Sequence, residues 1–350
     1  MRQALKKQLM DVAGARPSTD SSTALPARSA HEDVFTTPAA TTRPGRLQRR
    51  PDFFIIGAPK SGTTAMTHYL SSHPEIFMAR KEMHLFGADL EFGARLPRCD
   101  QETYLTEFEQ ANGARSAGEA SVWYLYSKQA AAEIKAFNPQ ARILIMLREP
   151  AEMIYSLYYQ FLFDANEHLP TFREALAAEE QRRAGRGARR TAYFLKGLVY
   201  RETARYAEQV RRYFELFGRE QVKVIIYDDF AANPVLAWRE TLEFLGVTPR
   251  GLDQQFRIVN PNKYVRSRLL QRVMADPWLR SSCVGMRPWL PRKVFGALRR
   301  TEAALWHCNA RVAKRPPLEP DLRARLKADF AFDNDQLGRL LGRDLTHWSK

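Results

Sequence analysis

The feature that most constrains this chain is the run Phe53-Phe54-Ile55-Ile56-Gly57-Ala58-Pro59-Lys60-Ser61-Gly62-Thr63-Thr64. Four apolar residues without alternation suit a strand buried on both faces of a parallel sheet. Two glycines five apart then bound a tight loop, and Thr63 to Leu70 continues as a helix closed by Ser71-Ser72-His73-Pro74. Such a loop aims several backbone N–H groups at one point, and the helix N-terminus adds partial positive charge there. The segment therefore predicts a phosphate cradle. It differs from the nucleoside-triphosphate loop G-x-x-x-x-G-K-[ST] in one respect. Thr63 stands where that loop has its lysine, and the lysine is Lys60, inside the loop. The displacement points to a phosphate-bearing ligand other than ATP.

Two more segments read as buried strands: Arg142–Leu147, apolar after its first residue and ending in Arg148-Glu149-Pro150, and Val222–Tyr227, apolar but for Lys223. Ile76–Met78 and Ala117–Ser121 are shorter, the second a strand or loop. Helical stretches fall between them at Tyr104–Phe108, Lys128–Phe137, around Tyr155 to Tyr159, Val199–Phe217 and Pro234–Leu245. Alternating strands and helices predict an α/β fold, three layers deep, with a central parallel sheet. Ligands of such sheets bind at the carboxyl ends of the strands. Lys60, Arg148 and Tyr227 all stand there. Residues 262–350 read as helices (Val265–Met274, around Val294–Cys308, Leu322–Leu341). Residues 1–50 are rich in Ala, Ser, Thr, Pro and Arg and read as a disordered leader with a short helix near Leu5–Val12, leaving one domain over 51–350.

The formal charge is +15, and residues 263–327 concentrate it, with 16 lysines and arginines against 4 acids. That balance suits polyanionic partners. Arg182–Arg190 and Arg266–Arg315 are candidates for contact with an acidic acceptor. The second stretch interleaves Trp278, Trp289 and Trp306 with arginines, a pattern for peripheral contact with anionic membrane, or for helices packed on the sheet. No aromatic-basic RNA motif or helix-turn-helix signature appears, so no nucleic-acid partner is expected. Cys99, Cys283 and Cys308 are too few and scattered for a disulfide framework or zinc knuckle. No apolar run reaches the ~18–20 residues of a membrane span. The basic start is followed by no apolar signal region. The expected location is cytoplasmic.

Pro59-Lys60-Ser61-Gly62-Thr63-Thr64, Lys81-Glu82-x-His84-x-Phe86 and Leu147-Arg148-Glu149-Pro150, with Ser156 eight residues after Arg148, together resemble the sulfotransferase family. The branch is that of the bacterial and glycan enzymes. The likeness extends through Tyr227-Asp228-Asp229-Phe230 and Leu340-Leu341-Gly342-Arg343-Asp344, about Pro51 to Trp348. It implies 3′-phosphoadenosine-5′-phosphosulfate (PAPS) as donor, no metal, and a hydroxyl or amine of a small molecule or glycan as acceptor. Lys60, Ser61, Gly62, Thr63 and Thr64 would hold the 5′-phosphosulfate. Arg148, a planar fork suited to phosphate, and Ser156 would hold the 3′-phosphate. Tyr227 is an adenine contact or a core aromatic, and Trp123 likewise is pocket or core. Lys263 and Arg266 would close the nucleotide site. The resemblance makes Glu82 the base, with His84 as runner-up. Glu82 has a second reading as ion-pair partner of Lys81 or Arg80. The rival is a P-loop nucleotide kinase or ATPase, which wants a lysine after Gly62 and an aspartate closing a nearby strand for magnesium.

Overall fold

Phe53–Gly57 (β1) lies at the centre of a five-stranded sheet, with every residue buried. The helix Thr63–Ser71 (α1) follows it, then Ile76–Met78 (β2), Gln101–Phe108 (α2), Ser116–Ala120 (β3), Ala130–Phe137 (α3) and Arg142–Leu147 (β4). Next come Pro150–Phe163 (α4), Phe172–Ala177 (α5), Glu179–Arg183 (α6), Tyr200–Thr203 (α7), Tyr206–Phe217 (α8) and Val222–Ile226 (β5). Tyr227–Ala232 (α9), Pro234–Phe244 (α10), Lys263–Val265 (β6), Arg268–Ala275 (α11), Ala310–Val312 (β7) and Pro320–Leu341 (α12) complete the order. The computed structural model describes residues 49–93, 96–111, 113–189, 192–249, 263–275, 300–301, 304–305 and 308–350. The expected leader up to residue 48, its helix near Leu5–Val12, most of Val294–Cys308 and the three tryptophans 278, 289 and 306 lie outside the described residues.

The sheet runs β2-β3-β1-β4-β5 and every pairing is parallel. All five carboxyl ends therefore face one edge. One face packs on α3, α4, α8 and α12 through Ile143, Ile154, Tyr213 and Leu326; the other packs on α1 and α10 through Leu144, Met66 and Trp238. This is the three-layer α/β arrangement that the apolar runs predict.

β3 (Ser-Ala-Gly-Glu-Ala) carries the weakest strand signal because its side chains are small. The reason is tertiary. Gly118 pairs with Phe53, and a Cβ on Gly118 would stand 2.2 Å from the Phe53 ring. Gly118→Ala should lower unfolding stability by about 1–3 kcal/mol, the usual effect of overpacking. An unchanged denaturation midpoint would mean that Phe53 has room to swing aside.

Three expectations need correction. The helix expected over Val199–Phe217 is broken at Ala204 and Arg205, because Asp333 of α12 caps the second piece: its Oδ2 accepts from the Tyr206 N–H at 2.8 Å. Tyr227 starts a helix rather than ending a strand. Within 262–350, Lys263–Val265 and Ala310–Val312 form an antiparallel pair instead of helix, Lys263 opposite Val312. Among the described residues, no helix is long and apolar enough to cross a membrane.

Candidate functional site

The loop after β1 turns on two glycines at positive φ, Gly57 (150°) and Gly62 (91°). Gly62 sits at the N-cap of α1, and a Cβ there would press on the Phe230 ring at 3.1 Å. Lys60, between them, is itself left-handed at φ 60°. Two contacts tie the loop to β4: the Ala58 N–H donates to Met146 O (2.6 Å), and Arg148 Nη1 donates to Lys60 O (3.4 Å). Lys60 Nζ donates to Gln160 Oε1 at 2.9 Å, and Gln160 Nε2 donates to Asp164 at 3.0 and 3.1 Å. Ser61 and Thr63 are buried, whereas Thr64 Oγ1 accepts from Lys81 Nζ at 3.0 Å.

Four cations meet here. Burial pushes the Lys60 ammonium down to about 8; Arg315, Arg148 and Lys81 add to the push, while Asp164 opposes it. Burial also lowers Lys81, with Glu82 opposing. Arg148 lies over the Tyr227 ring, 4.7 Å from its centroid, so Tyr227 is a half-buried partner of the arginine. Arg148 and Arg315 both reach Glu152 Oε2, at 3.4 and 3.3 Å, and Arg323 bonds the other oxygen. One Arg315 nitrogen, Nη1, is buried with no hydrogen-bond partner among the described residues. Glu152, Ser156 and Gln160 recur at four-residue steps on α4 and so share one helix face. Ser156 is buried on it.

Glu82 and His84 occupy a loop beyond β2. Both are left-handed, at φ 60° and 52°. Non-glycine residues hold such angles at a cost of about 1–3 kcal/mol each, offset by the surroundings. Here the C-terminal end of β3 supplies that hold. The Glu82 N–H donates to Ala120 O (2.9 Å), the Val122 N–H to Glu82 Oε2 (3.2 Å) and the His84 N–H to Ser121 Oγ (3.3 Å). Burial raises the Glu82 carboxyl, opposed by Lys81 and the Val122 N–H. Lys81 Nζ is 3.9 Å from Glu82 Oε1, so the ion-pair reading of Glu82 also has its partner. The His84 ring is fully buried against Phe92, with centroids 4.3 Å apart. Burial, aided by Arg98, pushes it down to about 3. Its Nε2 is 3.4 Å from Glu82 Oε2, yet neither ring nitrogen has a hydrogen-bond partner. The ring is neutral, and the approach is not an ion pair.

Sequence reasoning missed Arg315, Gln160, Asp164 and Glu119. Gln160 was signalled by its spacing from Ser156. Arg315 had no local signal: the β6–β7 pairing returns the chain over α4, where Tyr155 Oη donates to Pro316 O at 3.2 Å. Among the described residues, the C-terminal cation beside Lys60 and Arg148 is Arg315, whereas Arg266 is exposed and Lys263 lies in β6. Arg182 faces no acceptor: it is fully buried and paired with Glu167 at 2.8 Å. Trp123 packs in the core, stacked on Phe161 and edge-on to Phe194. Among the described residues, no group of three or more His, Cys, Asp or Glu is placed to hold a metal ion.

Residues 50–264 match the sulfotransferase domain family. A sulfotransferase from Alicyclobacillus acidocaldarius, known from its crystal structure, is 32% identical with a TM-score of 0.62, over 86% of this chain and 100% of that one. Carbohydrate sulfotransferase 15 of Rattus norvegicus is 30% identical over 60% of this chain and 46% of its own. The human heparan sulfate glucosamine 3-O-sulfotransferase 5 is 25% identical over 58% of this chain and 56% of its own. The chain spans about half the length of these two curated relatives.

Proposed function

The chain belongs to the sulfotransferase domain family, and from that premise we propose that it moves a sulfuryl group from PAPS to a hydroxyl or amine of a carbohydrate acceptor. One observation carries the proposal. Lys60, Lys81, Arg148 and Arg315 converge beside a loop of backbone donors, and burial first, with their mutual repulsion adding to it, lowers the Lys60 proton affinity. Such a cluster is stabilised by a polyanion with separated charges.

PAPS, when bound, supplies a sulfuryl group joined through a bridging oxygen to its 5′-phosphate, and it carries a further phosphate at the 3′ position. Lys60, with the backbone of Ser61, Gly62, Thr63 and Thr64, would take the 5′ end. Arg148 and Ser156 would take the 3′-phosphate, with the unpartnered nitrogen of Arg315 as a further donor and Tyr227 beside the base. Glu82 would take the proton of the acceptor hydroxyl or amine, so that this atom receives the sulfuryl group as the donor's bridging oxygen is released with its phosphate. Lys60 stabilises the charge that builds on that oxygen. Glu82 is preferred to His84 because its carboxyl is partly open to solvent and its affinity is raised, whereas the imidazole is sealed and weakly basic. The acceptor class comes from the relatives, two of which are named for carbohydrate and heparan sulfate substrates. Cytoplasmic location belongs to the same proposal, and fractionation of the producing cells tests it.

The kinase reading has little support here, since β4 closes in Arg148 rather than an aspartate. Thermal unfolding with PAP, the desulfated product, against ATP–magnesium separates the two. At one hundred times its dissociation constant, PAP should add about 2.7 kcal/mol to stability. Stabilisation by ATP–magnesium alone overturns the proposal. Labelled PAPS incubated with desulfated heparan oligosaccharides and with glycan extract of the producing organism then identifies the acceptor by mass spectrometry.

A further inference from the structure

Glu119 on β3 is a fully buried carboxyl that the transfer itself does not use. Its Oε2 accepts from Tyr104 Oη at 2.9 Å, and its Oε1 accepts from Ser121 Oγ in a short bond. A serine hydroxyl has a single proton. With that proton given to Glu119, the Ser121 lone pairs are left to accept the His84 N–H. The residues on either side of Ser121, Ala120 and Val122, bind the backbone and the carboxylate of Glu82. Glu119 therefore stands behind the strand end that holds the left-handed loop of Glu82 and His84. A packing role alone would be met by an apolar side chain without the cost of burying a carboxyl.

We propose that Glu119 is a positioning residue for Glu82: through Ser121 it holds the loop that carries Glu82. The proposal rests on Glu82 being the base. The titratable groups facing Glu119 are Glu82, Tyr104 and Cys99 of the flanking segment, Tyr124, and Tyr213 of α8. Those facing Glu82 are Lys81, His84 and Glu119. Burial raises the three tyrosines and the Cys99 thiol, and His84 stays neutral above about 3. Lys81 is lowered from an ordinary value of 10.5. The two carboxyls are thus the groups of this set that change charge on the acid side of neutrality. Glu119 is pushed up to about 7, first by burial and further by Glu82, against the hydrogen bonds from Ser121, Tyr104 and Tyr124. An ionised Glu82 disfavours ionisation of Glu119 behind it.

The test needs no acceptor. The full chain, labelled with carbon-13 at its glutamate carboxyls, is titrated as wild type, Glu119→Gln and Glu82→Gln. One carboxyl should titrate near 7, vanish in Glu119→Gln, and lose about tenfold in proton affinity in Glu82→Gln, because the opposing charge is gone. Amide exchange across residues 82–84 should quicken about tenfold in Ser121→Ala, which leaves the His84 N–H without its acceptor, and less in Glu119→Gln, whose amide oxygen can still accept from Ser121. A carboxyl near 7 that is unmoved by Glu82→Gln, or loop exchange unchanged in both clamp variants, overturns the proposal. Failure of the base reading appears separately, as normal turnover in Glu82→Gln, and removes the proposal with it.

Discussion

Lys60→Ala should lower sulfate transfer about 10²- to 10³-fold, the usual loss when a preorganised donor to developing charge is removed. Among the described residues the ammonium donates to Gln160, so its removal leaves the loop glycines, the Arg148 contact and the sheet in place. PAP affinity should fall much less than turnover, because Arg148, Arg315 and the loop N–H groups remain. Melting temperature and calorimetric PAP binding verify that the protein is intact. Near-normal turnover would remove Lys60 from the mechanism. A pH dependence accompanies this prediction. Lys60 carries its proton below about 8 and loses it as the pH rises through that value. Since kcat/KM reports the free enzyme, its alkaline limb should fall near 8. A bound polyanion favours the charged lysine, so the limb of kcat should lie higher. Lys60→Arg keeps its charge throughout and should abolish the limb even where its geometry slows the reaction.

Glu82→Gln should lower turnover about 10²- to 10⁴-fold, the range of general base catalysis, with PAP affinity almost unchanged. The amide oxygen of glutamine can still accept the Val122 N–H that holds Glu82 Oε2 in the wild type, so the loop keeps its tie to β3. What is lost is the ability to take a proton. The acid limb of wild-type turnover should stand above the ordinary carboxylate range, because burial raises the proton affinity of Glu82. Activity appears as the pH rises through that limb and Glu82 ionises. If His84→Ala abolishes turnover while Glu82→Gln does not, the base is His84 despite its burial.

How much of this was legible in the sequence depended on the range of each signal. β1 and β4 were readable because a strand covered on both faces must be apolar at every position, a rule that acts within five or six residues. The loop was readable from its glycine spacing, since the backbone angles needed at Gly57 and Gly62 are local demands. Lys60 sits inside that loop, and Arg148 and Ser156 were singled out by the family resemblance. β3 was nearly invisible, since its small residues answer to the Phe53 ring on a neighbouring strand. The break before Tyr206 was hidden for a similar reason: its cap, Asp333, is supplied by a helix more than a hundred residues away.

The sequence by itself determined a parallel α/β sheet, a tight glycine-bounded loop with a lysine inside it, and the places of Arg148 just after β4 and Ser156 on α4. The sheet and the loop follow from the period of burial and from backbone angles set by adjacent residues, whereas Arg148 and Ser156 were picked out by the family resemblance. Only the tertiary structure decided that Arg315 rather than Arg266 joins Lys60, that the ring of His84 is sealed and neutral, and that Glu119 stands behind Glu82. Proton affinity and charge repulsion depend on distance and burial in space, and the folding of distant segments onto one sheet edge sets both.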